Sequence, residues 1–345
     1  MQFDAARPAP TDPLLLYSLA EFREVIFEAF RVVGARSVAE IGAEGGAFTE
    51  QLVGWCEGHQ GRLVSIDPAP SDLVRELAAR SGATTLREDM SHRVLPDLEP
   101  FDAYLIDGDH NYYTVSGELA MIYETCQTAG THPLLLLQDV GWPAGQRDQY
   151  YDPDSIPDDA KQPYDFGGVV PWSDATFEEG FRGDGDFAFA RHEGGPANGV
   201  RSALEDFLGQ HREYETIALP CLFGLTLVFS STAPWAESLR ERLGVYDDNP
   251  LLARLESNRI LLYLRVIELQ DKLARQSRRT AAVEAELGTA LAAARTQRDA
   301  AGQAARAAIA ERDAARAEAE RAGPATGAQA TPSVRDARAR HRPAS

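Results

Sequence analysis

The sequence predicts a doubly wound α/β sheet. Three observations carry this. From residue 35 to about residue 230, short apolar runs alternate with stretches of helical length and periodicity. One of them, Leu134 to Leu137, is wholly apolar and short enough for a buried parallel strand. The first run ends in a glycine-bearing turn, Glu40-Ile41-Gly42-Ala43-Glu44-Gly45-Gly46, where a strand passes into a helix.

The elements follow in order. Asp12-Pro13 reads as a helix start, an acid cap before a proline, and opens an N-terminal cap helix over Leu14 to Val33. Strand one is Ser37 to Ile41, followed by a helix over Thr49 to Glu57. Strand two is Arg62 to Ile66 and its helix Ser71 to Arg80. Ala83 to Leu86 is a short third strand, ending before Glu88-Asp89-Met90. Phe101 to Ile106 is the fourth, with a helix over Thr114 to Thr128, and Leu134 to Leu137 is the fifth. A helix over Gly199 to His211 precedes a strand pair, Tyr214 to Leu219 and Leu222 to Phe229, divided by Pro220-Cys221.

Between residues 140 and 197 the alternation stops. Fifteen of these 58 residues are Gly or Pro and ten are aromatic. A segment this long is functional or disordered, and its aromatics argue against disorder. It reads as a lid with Trp142, Tyr150, Tyr151 and Trp172 as walls; a structural insertion packed on the core is the competing reading. The body then spans 35–232.

From Leu251 to Gly323 there is no proline. Leu252, Leu255, Leu262, Val266, Leu269, Leu273, Val283 and Leu287 fall on three- and four-residue steps, a coiled-coil seam broken at Arg259, Gln276 and Thr280. Residues 250–288 are expected to pair two copies of the chain, within a helical segment from 233 to 322. Nineteen of residues 281–322 are alanine, which favours helix without a strong interface. Residues 323–345 read as a disordered tail.

Charge narrows the partners. The chain carries −19 overall; residues 251–345 hold 17 basic and 11 acidic residues, which leaves −25 on the first 250. So acidic a body repels phosphate backbones, which argues against nucleic acid as substrate; plain solubility is the competing reading of the charge. The three cysteines, Cys56, Cys126 and Cys221, are odd in number and far apart, and read as thiols in a reducing compartment. No signal-like or membrane-length apolar run appears, so the expected location is cytoplasmic.

The glycine turn suggests a ligand. Gly42 and Gly46 let the backbone turn sharply and approach one closely. Asp67 follows Gly42 by 25 positions, near the distance at which an acid meets ribose hydroxyls. Glu44 stands where a dinucleotide loop would cradle pyrophosphate, and it would repel phosphate. Glu40 suits a cation. S-adenosylmethionine (SAM) has a ribose, an ammonium, a sulfonium and no phosphate. The competing reading is a strand–turn–helix with no ligand.

On Glu40, Gly42, Gly46 and Asp67 the stretch resembles the class I SAM-dependent methyltransferases, over residues 35 to 230. The family often has glycine where Glu44 stands. The resemblance implies a seven-stranded Rossmann-like sheet with helices on both faces and the last two strands as an antiparallel edge hairpin. It implies that Asp89 and Met90 meet the adenine, with a solvent-facing loop acid as the alternative.

Strand four ends Ile106-Asp107-Gly108-Asp109-His110 and strand five ends Gln138-Asp139. In a doubly wound sheet these tips lie beside strand one. Carboxylates gathered there suit a hard divalent ion such as Mg²⁺. His110, beside them, has a side chain suited to a general base. These segments are similar to the metal-dependent O-methyltransferases, including the sugar and macrolide-glycoside enzymes and the cephalosporin-hydroxylase-like group. That resemblance implies Asp107, Gln138 and Asp139 as metal ligands and His110 at the position of a catalytic base. Gln138 is an amide where sugar enzymes often carry a carboxylate.

The implied activity is SAM-dependent methyl transfer to a hydroxyl of a small molecule, a sugar or glycosylated metabolite. Residues 147–186 hold eleven acidic against three basic residues, which disfavours anionic acceptors. His192-Glu193-Gly194-Gly195 could reach the acceptor or form a plain turn. Nicotinamide chemistry of the short-chain type needs Tyr-x-x-x-Lys, and neither lysine, Lys161 or Lys272, has that tyrosine. A non-catalytic scaffold that recruits a partner through its coil is the alternative.

Overall fold

The computed structural model describes residues 19–323. The Asp12-Pro13 helix start and residues 324–345 of the tail lie outside them. After a 3₁₀ turn come α1 (Arg23–Val33), β1 (Ser37–Ile41), α2 (Ala47–Gly58), β2 (Arg62–Ile66), α3 (Asp72–Arg80), β3 (Thr84–Arg87), α4 (Ser91–Val94), β4 (Ala103–Ile106), α5 (Tyr112–Ala129) and β5 (Leu134–Gln138). The long segment holds β6 (Gln149–Tyr150), β7 (Tyr164–Asp165) and β8 (Ala188–Ala190). Then follow α6 (Val200–Gln210), β9 (Tyr214–Leu219), β10 (Leu225–Ser230), α7 (Ala236–Leu243) and α8 (Pro250–Arg321).

Seven strands form one sheet in the order β3-β2-β1-β4-β5-β10-β9. The first five are parallel, and β10 runs antiparallel to both β5 and β9. Strand order reverses at β1, the point where α/β sheets open a crevice at their carboxyl edge. The register sets what lines that edge. Ile41 stands opposite both Ile66 and Ile106, and Ile106 opposite Leu137. The next residue on each strand is therefore Gly42, Asp67, Asp107 and Gln138.

Strand alternation divides the core. Val38, Leu134 and Leu136 face one layer with Phe30, Leu52 and Leu239. Ala39, Ile41, Leu135 and Leu137 face the other with Leu119 and Phe207. Each such buried leucine or phenylalanine contributes about 1.5–3 kcal/mol. α7 packs Leu239 and Leu243 into the first layer.

Several boundaries differ from the sequence reading, two of them for a visible reason. The last strand begins at Leu225 rather than Leu222, because Leu222, Phe223 and Gly224 take φ of 49°, 66° and 92° and cannot extend a strand. α5 begins at Tyr112 rather than Thr114, because the Asn111 side chain accepts from Thr114 N and caps it. The one-turn α4 was not foreseen; four residues carry no periodicity.

Residues 140–197 are an ordered insertion with a small antiparallel sheet, β6-β8-β7. Two buried side chains organise it. The Arg147 guanidinium donates to the carbonyls of Ala190 (2.6 Å) and Asp174 (2.8 Å). The Asp148 carboxylate accepts from Tyr112 N (2.7 Å), Gly199 N (2.6 Å) and Tyr150 Oη (2.7 Å). Asp148 thus ties the insertion to the starts of α5 and α6.

The chain divides into two compact units, the first ending at Lys272. Within the first unit, α8 buries Ile260 and Leu264. The seam residues Leu255, Leu262 and Leu269 lie on exposed positions of the same helix. In the second unit, α8 continues from Leu273 to Arg321, with Val283 and Leu287 exposed. Among the described residues no helix is long and apolar enough to cross a membrane.

Candidate active site

The site forms where the tips of β1, β2, β4 and β5 meet. Gly42 has φ of 85°, and a Cβ there would lie 2.2 Å from the carbonyl oxygen of Asp107. Glycine is therefore required for the β1 turn to rest on the β4 tip. Asp67, at the end of β2, accepts from Ala43 N (2.9 Å) and Glu44 N (3.1 Å) through one oxygen and from Ala69 N (2.8 Å) through the other. It holds the loop in shape. Glu44 takes φ of 44°, a left-handed conformation more usual for glycine. Partial burial, and then the Asp107 carboxylate, raise its pKa.

Asp107, His110 and Asp139 come together. One ligand atom from each lies within 4.8 Å of the others. His110 Nε2 stands 3.4 Å from Asp107 Oδ1 and 3.3 Å from Asp139 Oδ2. Burial, the largest single influence, works to lower the imidazole pKa. The carboxylates of Asp139, Asp107 and Asp109 together outweigh it and raise the value to about 9. Burial pushes Asp139 up to about 7, and it raises Asp107 as well.

The remaining candidates have other partners. Glu40 is buried between β1, β2 and α2, where it accepts from Ser65 Oγ (2.7 Å) and Thr49 Oγ1 (3.0 Å), and burial raises it to about 7. Gln138 Nε2 donates to Leu222 O (2.7 Å), while its buried Oε1 has no partner. Asp109 accepts from Asn111 Nδ2 and from Tyr151 N (3.2 Å), which joins the α5 cap to the insertion. At the β3 tip, Asp89 accepts from Met90 N (2.8 Å) and from exposed Arg93.

Of the four lid aromatics, Tyr151 stands at the site, its ring 5.9 Å from that of His110. Tyr150 is fully buried, and Trp142 packs on Phe181. Trp172 and His192 are exposed.

Sequence reasoning missed several residues near this centre. Glu118 of α5 is buried; it accepts from Ser91 Oγ (2.6 Å), and burial raises it to about 8. Its signal was a carboxylate on an otherwise apolar helix face. Arg147 and Asp148 were visible only as two charges in an aromatic, Gly/Pro-rich segment. In the sequence Arg259 reads as a break in the α8 seam and Glu256 has no assigned role, yet both reach the β9–β10 bend.

The donor set fits a divalent ion. Two carboxylates converge beside His110, and the Gln138 Oε1, next to Asp139 on the β5 tip, is buried without a partner. The glycine turn with Glu44 and Asp107 beside it fits a cationic ligand better than a phosphate.

No family model and no curated protein matches the chain. Solved structures of similar arrangement include the SAH-bound methyltransferase PaMTH1 of Podospora anserina, at 16% identity over 62% of this chain and 79% of that one, TM-score 0.38. The O-methyltransferase TomG of Streptomyces achromogenes, in complex with SAM, is 16% identical over 63% and 82%, TM-score 0.37. The O-methyltransferase of Bacillus cereus, in complex with SAH, is 15% identical over 63% and 84%, TM-score 0.36. Likeness at this level carries nothing about substrate.

Proposed function

We propose that the chain is a SAM-dependent O-methyltransferase acting on a hydroxyl of a small, uncharged or cationic molecule, a sugar or glycosylated metabolite. The observation that carries this reading is the convergence of Asp107, His110 and Asp139 against the Gly42 turn. SAM supplies the methyl group as a sulfonium. Asp107, Asp139 and the unpartnered Gln138 Oε1 would hold a divalent ion such as Mg²⁺, which would supply positive charge that acidifies the acceptor hydroxyl.

The chain's own residues do the rest. The turn from Gly42 to Gly46 and the acids around it hold the donor. Asp89 and Met90 mark the adenine end. Tyr151 offers an aromatic wall for a ring of the acceptor. His110 Nε2 takes the hydroxyl proton as the oxygen–methyl bond forms and the sulfur–methyl bond breaks. The imidazole can do so only when Asp107 and Asp139 are neutralised, because their charges otherwise keep it protonated. Burial then works in the direction a base requires.

Self-association through α8 belongs to the same proposal, on the exposed seam of Leu255, Leu262, Val266 and Leu269. The three free thiols suit a cytoplasmic setting.

Calorimetric titration with SAM, followed by methyl transfer to a panel of hydroxyl acceptors with and without Mg²⁺, tests the reading. Binding of SAM and Mg²⁺-dependent transfer lost in His110→Ala and Asp139→Ala are expected. Absence of SAM binding at millimolar concentration, or equal turnover in all three proteins, would refute it.

A further inference from the structure

The β5 tip that carries Gln138 and Asp139 does not hold itself. Asp139 takes φ of 60°, a left-handed conformation unfavourable for an aspartate. Its position depends on the bend between β9 and β10. Gln138 Nε2 donates to Leu222 O (2.7 Å), Gly141 N to Phe223 O (2.6 Å) and Val140 N to Gly224 O (3.3 Å). The contact is close on both sides: a Cβ on Gly141 would lie 2.4 Å from Phe223 O, and one on Gly224 would lie 2.7 Å from Gly141 N.

The bend is itself unfavourable. Leu222 and Phe223 both have positive φ, a strained conformation that persists only where the surroundings impose it. Such a bend leaves successive amide N–H groups pointing one way, a concavity that attracts an anion. Glu256 of α8 fills it. Its Oε2 accepts from Leu222 N (3.0 Å) and its Oε1 from Phe223 N (2.9 Å). Arg259 orients that carboxylate, donating to Oε2 through Nε (2.7 Å) and to Oε1 through a terminal nitrogen (2.6 Å), and its guanidinium lies 4.8 Å from the Phe223 ring centroid. Both side chains belong to the part of α8 within the first unit.

We infer that Glu256 is a positioning residue for the active site. Through the Leu222–Gly224 bend it fixes where Gln138 and Asp139 stand relative to Asp107 and His110. The inference rests on the proposed function for what those residues do, but the mechanical link stands on its own distances. The hydrogen bonds of Glu256 go to Leu222, Phe223 and Arg259, and none goes to Asp107, His110 or Asp139.

The test uses the full chain and two variants. Glu256→Ala removes both acceptors. Glu256→Gln keeps one, so it should act as a graded intermediate and is the milder change for folding. The probes are Mn²⁺ binding by electron paramagnetic resonance, SAM binding by calorimetry, and amide hydrogen exchange of residues 138–141 and 222–226. Removing the support of a ligand typically weakens metal binding by about tenfold or more. The expected result is an Mn²⁺ Kd raised by about that factor in Glu256→Ala and by less in Glu256→Gln. SAM affinity should be unchanged, and exchange should quicken in both segments. A role limited to overall stability would move exchange across the sheet and leave the Kd unchanged. Wild-type Mn²⁺ affinity retained in Glu256→Ala overturns the inference. If wild type takes up no Mn²⁺, the metal part of the proposed function falls. Exchange then decides alone: faster at 138–141 in Glu256→Ala upholds the link, and unaltered exchange there overturns it.

Discussion

Replacing Glu118 by glutamine should make the protein more stable as the pH rises. Glu118 is 1% exposed on α5, and its second oxygen has no partner. Burial raises its pKa from 4.5 to about 8. Between those values the folded protein keeps a proton that the unfolded chain releases. Stability from this group is therefore full below 4.5 and is lost as the pH climbs through about 8. The slope is about 1.4 kcal/mol per pH unit for one proton, and the whole shift sets a ceiling of about 5 kcal/mol. Glutamine keeps an acceptor for the Ser91 hydroxyl and never ionises. Its amide brings an extra buried donor, which adds an offset that does not vary with pH. The measurement is urea unfolding of both proteins at several pH values between about 5 and about 8.5. Glu40 and Asp139 also titrate in this range, but they do so in both proteins and cancel in the difference to first order. The variant should gain on wild type by about 1–4 kcal/mol across the series. A difference that stays constant with pH would show that Glu118 ionises in the fold without penalty, and the reasoning would fail.

Other expectations follow from the same geometry. Gly42→Ala should lower stability by about 2–4 kcal/mol, since the new Cβ meets the Asp107 carbonyl and the turn has positive φ; an unchanged denaturation midpoint would refute that contact. Asp148→Ala strips three donors of their acceptor and should open the insertion, read as faster proteolytic cleavage within residues 149–197; cleavage at the wild-type rate would mean Asp148 does not anchor it. The pair Leu262→Arg and Leu269→Arg should convert a dimer to a monomer in sedimentation experiments, while identical sedimentation of wild type and variant would remove α8 as the interface.

How far the site could be read from residue order depends on where each partner lies along the chain. The strand tips were legible because each ends a short apolar run. Register then needed only Ile41 opposite Ile66 and Ile106 to bring Gly42, Asp67 and Asp107 level. His110 was legible for the same reason, three residues past Asp107 on the same tip. Roles that depend on which way a side chain turns were not. Glu40 and Asp67 look alike in the sequence, as acids at strand ends. The structure turns Glu40 to two hydroxyls inside the sheet and Asp67 to the loop amides. The insertion's aromatics argued for order but not for what imposes it. That order comes from Arg147 and Asp148, whose partners, Tyr150 apart, lie 27 to 51 residues away. Glu256 is the extreme case. Its pairing with Arg259 satisfies every local rule for an exposed helix pair, so nothing in the local pattern points to Leu222 and Phe223, more than thirty residues earlier. A helix that reads as an appendage thereby supplies an anion to the bend that holds the strand tip carrying Gln138 and Asp139. Changes at its base should consequently be felt at Asp139 before they are felt in the core.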